Sequence, residues 1–535
     1  MPTLDWIGKK AVVNHHRHVP FHLLKNREDL SCGDSNSGNL LVQADNLLAL
    51  KALLPYYAGQ VKCIYIDPPY NTGNEGWVYN DNVNSPEMKA WLGKAVGREA
   101  EDLSRHDKWL CMMYPRLQLL REFLSENGSI FISIDDVEVG NLRLMLDEIF
   151  LPTNFVANLI WQKKYSPQND AQFFSPMHDH ILAYAKNLKV WKRNLIQRTE
   201  KQDKAYKNSD DDPRGPWKAS DLTRPEHRDR DFYGIKTPSG KEVFPAKGRS
   251  WSRPPDEIER LRNDNRLWFG KNGDSIPSLK RFLNEVKEGV VPTTIWLRDE
   301  VGDNQEAKQE IKDLTDGALF STPKPVRLVQ RILEIATDKD SLILDSFAGS
   351  GSTGHAVLAL NKIDSGNRRF ILVEMDQKIC NEITAHRLSR VVQGFDPKKS
   401  LSKTRISGLG SGFSYCELGL PLFDEKGRIK SEVTFKDLAR HVFFSETGKP
   451  LPDKAEKKFP LLGVSDGIAL YLLYNGILKD KTPNGGNVLT VPVLQSLPAH
   501  NGPKVIYGVG CRIGAVRLSQ ENIIFRQIPY EIKVS

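Results

Sequence analysis

The sequence predicts an α/β protein: a mostly parallel sheet of seven strands, assembled from two separated parts of the chain around an inserted module and followed by a smaller C-terminal region. Three observations carry this expectation. VKCIYID (residues 61–67) is an unbroken apolar and β-branched run, the pattern of a parallel strand buried on both faces. LILDSFAGSGSTGHAV (342–357) passes from a similar strand through a glycine turn into a helix. Around both, apolar strands alternate with leucines at helical spacing, the rhythm of strand–helix–strand units.

The 535 residues allow two or three domains with cores of their own. Residues 1–38 form an N-terminal arm. Residues 39–186 hold the first half of the sheet. There NLLVQADNLLALKALL (39–54) reads as a strand end, Asp45 and a helix, with VKCIYID as the next strand. Residues 74–94 are polar and irregular and suit a loop. HDKWLCMMYPRLQLLREFLSENGSIFISIDD (106–136) predicts a long helix closed by Asn127-Gly128 and then a strand. A helix over 137–150 and strands over 154–162 and 180–185 complete this half. Residues 187–318 lose the rhythm and mix Arg, Lys, Trp, Tyr, Pro and Gly, as an inserted module with a small core would. Over 319–400 helix, strand, glycine loop, helix and strand follow in order. Residues 401–535 show no chemistry and are assigned to an accessory or dimer-supporting domain.

Composition removes several classes. Hydrophobic content of 39% and charged content of 27% are ordinary for a globular protein. No run approaches the ~18 apolar residues of a membrane span, and the N-terminus lacks an apolar signal core, so a cytoplasmic location is expected. Six cysteines lie scattered without a CxxC pair, which argues against zinc, redox or disulfide frameworks. The net charge of +8 permits a polyanionic partner without requiring one.

Gly349, Gly351 and Gly354 satisfy GxGxxG between a strand and a helix, and Glu374 follows about 20 residues on, where a carboxylate can accept from both hydroxyls of a ribose. An adenosine-containing cofactor is therefore expected. A dinucleotide matches the same pattern, but here the unit comes late in the chain and no second mononucleotide half follows.

The other chemical feature is Asp67-Pro68-Pro69-Tyr70, at the end of the VKCIYI strand. An exocyclic amine on a nucleobase is a poor nucleophile because its lone pair is delocalised into the ring. A site that uses it must accept hydrogen bonds from the NH₂ group, hold the base flat and aim it at an electrophile. Asp67 and the Pro68 carbonyl offer acceptors, Tyr70 offers a face for stacking, and paired prolines stiffen the loop.

This motif resembles the catalytic motif of amino-group DNA methyltransferases, and Phe347-Ala348-Gly349-Ser350-Gly351 resembles their S-adenosylmethionine loop, FxGxG. Catalytic motif first, insert next and cofactor loop last is the order of the β group of that family. YNTGNEGWVYND, HDKWLCMMYPRL, NLIWQKK and FAGSGSTGHAV look most like the modification (Mod) subunits of Type III restriction–modification systems. The resemblance implies a Rossmann-like methyltransferase sheet and makes Asp67, Pro68, Pro69 and Tyr70 catalytic. Asp345, Phe347, Gly349, Gly351 and Glu374 would surround the cofactor. Asp45 would meet its adenine amine, and Thr322 and Lys324 would help hold its carboxylate. It implies adenine N6 as the target, with cytosine N4 as the alternative. It also implies duplex DNA as substrate, a homodimer and a restriction partner with helicase and nuclease parts.

Arg224, Arg249, Arg253 and Arg262 in the insert are candidates for DNA contact, although most charge runs are simply solvated. NHHRH (14–18) reads as a surface segment rather than a metal site, His178-Asp179-His180 as a strand entrance, and Asp135-Asp136 as a helix cap or cleft lining. No metal is expected. A dinucleotide oxidoreductase and a non-catalytic DNA-binding subunit are the competing functional classes.

Overall fold

The structure is a computed structural model that describes residues 4–34, 36–71, 101–286, 289–315, 320–396, 405–424, 428–452, 460–474, 482 and 485–528. The loop expected over 74–94 lies outside the described residues. The main sheet contains β1 (His22–Asn26), β2 (Leu40–Gln43), β3 (Val61–Ile66), β4 (Leu124–Ile134), β5 (Phe155–Gln162), β6 (His178–Ala185) and β7 (Ile295–Trp296). It continues with β8 (Leu342–Asp345), β9 (Arg369–Glu374) and β10 (Gly412–Pro421). The order across it is β1, β10, β2, β9, β8, β3, β4, β6, β5, β7, and Cys32–Gly33 pairs with β10 off this path, which makes eleven strands.

The expected count of seven is therefore exceeded, because both edges are extended. From β10 through β4 neighbouring strands run parallel, and β6 runs antiparallel to both β4 and β5. On one edge β10 adds parallel to β2, and β1 then pairs antiparallel with β10, Leu24 opposite Leu418. On the other edge β7 adds parallel to β5. Thus the N-terminal arm and the start of the 401–535 region contribute strands to the sheet instead of standing apart from it. The edge that β2 would otherwise expose is covered.

Strands β3, β8 and β9 are almost wholly buried, as their continuous apolar runs require. Helices α1 (Asn46–Tyr57), α2 (Glu101–Phe123) and α3 (Val139–Phe150) supply Leu50, Leu53, Trp109, Leu117, Leu120, Leu142 and Leu146 to one core with Ile64, Ile130, Ile132, Leu344 and Val373. Helix α2 ends at Phe123, and Asn127-Gly128 lies inside β4 rather than at a helix cap. Gly128 is needed for close approach, since a Cβ there would sit 2.8 Å from the Val61 carbonyl oxygen of β3. Helices α4 (Val326–Ala336), α5 (Ser352–Asp364) and α6 (His386–Gln393) belong to the second half.

Residues 195–292 form a compact unit of their own, narrower than the expected 187–318 because β7 joins the main sheet. That unit packs Leu222, Ile235, Val243, Trp251, Ile258, Leu267 and Phe269 among short antiparallel strands and the helix Pro255–Asn263. Inside it Lys280, 1% exposed, pairs with Asp210 and with Asp212 at 3.1 Å. The rest of the C-terminal region folds as a four-stranded sheet with helix Phe435–Thr447, and Phe21 of the arm joins its core. No helix among the described residues is long and apolar enough to cross a membrane.

Candidate active site

Residues following the carboxyl ends of β3, β8 and β9 meet in one cavity of about 410 Å³, the position at which open parallel sheets bind ligands. Asp67, Pro68, Pro69 and Tyr70 all line it, as do Thr322, Lys324, Asp345, Phe347, Gly349 and Glu374. Residues some 280 positions apart are neighbours there because β3 and β8 are paired parallel strands.

The Asp67-Tyr70 turn is braced from behind. Trp109 Nε1 of α2 donates to the Pro69 carbonyl oxygen at 2.7 Å. Asn71 closes the turn in the left-handed region, φ 60°, which asparagine tolerates better than most residues. Its Nδ2 donates to Glu138 Oε1 at 2.5 Å, and the fully buried Glu138 also meets His106 Nδ1 at 2.5 Å. Trp109→Phe keeps the ring but leaves the Pro69 carbonyl unpaired. We expect it to lower kcat about tenfold through loosened positioning, with cofactor affinity unchanged, as steady-state kinetics and calorimetry can check.

At the turn itself Asp67 uses only half of its carboxylate. Oδ2 accepts from Lys324 Nζ at 2.5 Å, whereas Oδ1 is buried and receives no hydrogen bond among the described residues. The Tyr70 ring lies under the same ammonium, 5.0 Å from Nζ to ring centroid. Burial, and then the neighbouring Asp67 carboxylate, hold the Tyr70 phenol well above its ordinary value, so the ring is neutral.

The glycine loop forms the facing wall. Asp345 ends β8, and its Oδ1 accepts from Phe347 N–H at 3.0 Å while its Oδ2 accepts from Thr353 Oγ1 at 2.5 Å. Glu374 ends β9 and accepts from Gly349 N–H at 2.8 Å and Asp376 N–H at 2.9 Å. Each carboxylate has further lone pairs to offer. Burial pushes both acids up to about 7, and their hydrogen bonds offset that only in part. Gly349 adopts φ 50°, and a Cβ there would come within 3.0 Å of the Phe320 ring, so glycine keeps the loop open beside the cavity. Beneath the loop the wholly buried Arg387 of α6 donates to Ser350 O at 3.3 Å and Ser352 Oγ at 2.9 Å.

Two expected cofactor residues are not among those that line this cavity. Asp45 does not line the cavity: its Oδ1 caps α1 by accepting from Leu47 N–H and Leu48 N–H, and its Oδ2 pairs with Arg116 at 3.2 Å. Gly351 also stands off the cavity. At φ 77° it turns the chain into α5, packed against Thr384.

The cavity has a further charged wall, of which the sequence alone did not bring out Asp179. Asp179 on β6 is 3% exposed and pairs with Lys163 Nζ at 2.5 Å, and Asp135, Asn304 and Asp376 line the same space. Burial raises the Asp179 carboxyl against the lowering effect of Lys163 and Lys324. Strand parity is the available signal: Asp179 faces the opposite way from His178 and His180. Those two histidines meet Asp136 Oδ1 instead, at 3.9 and 2.9 Å.

No thiol serves the site. Cys63 is inside β3, where burial pushes it up to about 12, far from the thiolate a nucleophile requires. Within the 195–292 unit, the four candidate arginines are engaged internally. Arg224 donates to Trp251 O and Ser252 O at 3.1 and 2.8 Å. Arg249 donates to Thr223 Oγ1 and Asp221, each at 2.7 Å. Arg253 pairs with Glu257 at 2.7 Å, and Arg262 with Glu259 at 3.4 Å. A phosphate would have to compete with each of these partners.

Comparison with known proteins fits this geometry. The family described as DNA methylase, the N6 and N4 methyltransferases, matches residues 61–385. The Type III restriction–modification enzyme StyLTI Mod subunit of Salmonella typhimurium is 39% identical over 386 residues, 70% of this chain and 57% of its own length. The EcoPI Mod subunit of Escherichia phage P1 is 32% identical over 83% of this chain and 74% of its own length. The EcoP15I Mod subunit of Escherichia coli is 30% identical over the same shares. The chain thus spans little more than half of the first relative and about three quarters of the other two. The matched segment runs from the Asp67 strand through the insert to the glycine loop and beyond it, and the chain belongs to the N6/N4 DNA methylase family.

Proposed function

We propose that this chain is an S-adenosylmethionine-dependent DNA methyltransferase that acts on N6 of adenine, and that it is the modification subunit of a Type III restriction–modification system. The observation that carries the reading is the half-used carboxylate of Asp67. A buried acceptor that receives no hydrogen bond among the described residues stands beside an aromatic face, on the wall of a cavity whose other wall is a glycine loop with two buried acids. A buried unsatisfied acceptor is costly unless a ligand uses it.

The residues fit the cofactor. The cavity volume lies within the ordinary range for small-molecule sites. Glu374 and Asp345 are buried acids with acceptor capacity left over, suited to hydroxyl and amino groups, and Gly349 keeps the loop clear of a Cβ. When bound, S-adenosylmethionine supplies a methyl group on positively charged sulfur. Asp67 Oδ1 and the Pro68 carbonyl would accept from the target amine, drawing electron density onto its nitrogen, while the Tyr70 ring holds the base flat. The paired prolines hold these acceptors in place, and the walls around them exclude water that would compete for the same bonds.

An adenine amine inside a duplex is stacked and paired, so the base must be flipped out to reach this site. The 195–292 unit is the proposed target-recognition module. The printed names of the Mod relatives support assignment to a Type III restriction–modification system. A restriction subunit of helicase and nuclease parts as partner, a homodimer and action on DNA in the cytoplasm are proposed with it, from the family resemblance alone.

Transfer of radiolabelled methyl from S-adenosylmethionine to unmethylated duplex DNA, followed by nucleoside analysis, tests the reading. Label in N6-methyladenine supports it. Label in N4-methylcytosine would change the target base, and DNA binding without transfer would leave only a binding subunit.

A further inference from the structure

We infer that Lys324 is a placeholder for the target base: its ammonium occupies the Tyr70 ring face and one oxygen of Asp67, beside the acceptor that the amine needs, and cofactor binding draws it away. The inference rests on the proposed reading of the cavity as the meeting point of cofactor and flipped base.

The geometry points to this because one nitrogen makes two contacts. Lys324 Nζ donates to Asp67 Oδ2 at 2.5 Å and also lies over the Tyr70 ring, 5.0 Å from its centroid. Trp161 adds a second aromatic ring at 6.0 Å. A base stacked on Tyr70 with its amine on Asp67 Oδ1 requires that ring face. An ammonium seated over the ring and a base stacked on it exclude one another.

Lys324 is built into the cavity rather than passing over it. Its side chain is 7% exposed, its neighbours Pro323 and Pro325 stiffen the backbone on both sides, and its carbonyl accepts from Ser352 Oγ at 2.7 Å. The backbone is therefore tied to the first turn of α5, behind the cofactor loop, while the side-chain tip rests on the catalytic turn. Departure from Asp67 has to come from side-chain torsions.

What can move it is charge. A neutral base amine makes a weaker hydrogen bond to a carboxylate than an ammonium does, so an incoming base does not displace Lys324 unaided. Of the other acids on the cavity wall, Asp179 is already paired with Lys163. An amino-acid carboxylate arriving with the cofactor is a new anion, and Lys324 can follow it from Asp67. The expected order is cofactor first and flipped base second, with DNA alone bound but unflipped.

The test places 2-aminopurine, whose emission rises when it is unstacked, at an adenine first mapped as modified in cellular DNA. With the wild-type chain, emission should stay low on duplex binding and rise about fivefold or more when sinefungin, an unreactive cofactor analogue, is added. In Lys324→Gln and Lys324→Met, emission should be high without the analogue and change by less than about twofold on its addition. Lys324→Arg, which keeps the charge, should retain dependence on the analogue. Melting curves establish which variants are folded, and either neutral variant suffices. Full wild-type emission without sinefungin, or neutral variants as dependent on it as the wild type, would overturn the inference and leave the functional reading intact. Absence of any modified adenine would overturn the functional reading and this inference together.

Discussion

Asp67→Ala is expected to lower methyl transfer at saturating cofactor and DNA by about a thousandfold or more, while cofactor affinity changes by less than about threefold. The separation follows from geometry. Asp67 lies on the β3 wall, and the acids proposed to hold the cofactor lie on β8 and β9. Removing the carboxylate also strands the nearly buried Lys324 ammonium, a loss of about 3 kcal/mol in stability that melting curves will register. Asp67→Asn is the cleaner companion because it retains one carbonyl acceptor and the shape of the turn. It should fold like the wild type and keep a measurable fraction of the activity, more than alanine does. Equal transfer by Asp67→Ala and the wild type would remove Asp67 from the chemistry.

Glu374→Ala should weaken binding of S-adenosylmethionine by about a hundredfold, the loss of two charge-assisted hydrogen bonds of about 1.5 kcal/mol each. Its pH dependence is the more specific signature. The acid is raised to about 7 by burial, and hydroxyl donors favour its ionised form. Cofactor affinity should therefore rise about tenfold between pH 6 and 8 as the proton leaves. Glu374→Gln should flatten most of that rise, leaving the part due to Asp345, which is raised to about 7 as well. Stability of the ligand-free protein moves the other way. A folded value above the ordinary 4.5 means that Glu374 contributes fully at pH below 4.5 and that the contribution is lost as pH climbs through about 7. Calorimetry across that range measures the affinity, and thermal melts of the free protein measure the stability.

Both walls of the site were legible in the sequence because each is a short, contiguous motif at the end of an apolar strand. Asp67-Pro68-Pro69-Tyr70 and the glycine loop declare their chemistry locally, and the parallel pairing of β3 with β8 brings them together. What was not legible depends on distant partners. Lys324 carries no local mark of its ion pair with Asp67, 257 residues away. Trp109 reads as an ordinary apolar residue of α2, although its Nε1 braces the Pro69 carbonyl. Asp179 lies between two histidines that attract attention, yet it is the residue of the three that faces the cavity.

The strand count fell short for the same reason. Strands β1 and β10 come from opposite ends of the chain, with His22 paired to Pro421, and nothing local marks two such segments as one sheet edge. Asp45 has a role set by its place: before a helix it stands at the N-cap position, and the structure uses it there. In the insert, Arg253 and Arg262 have acids within four residues, so their pairing was available from helical spacing alone.

The role proposed for Asp67 is to present an adenine amine to a methyl donor. The most direct measurement is modification-sensitive sequencing of DNA from cells that lack other adenine methylation, expressing either the wild-type chain or Asp67→Ala. N6-methyladenine is expected at one defined sequence with the wild type and none with the variant. Unmodified adenines in both, or the same modified adenines in both, would contradict it.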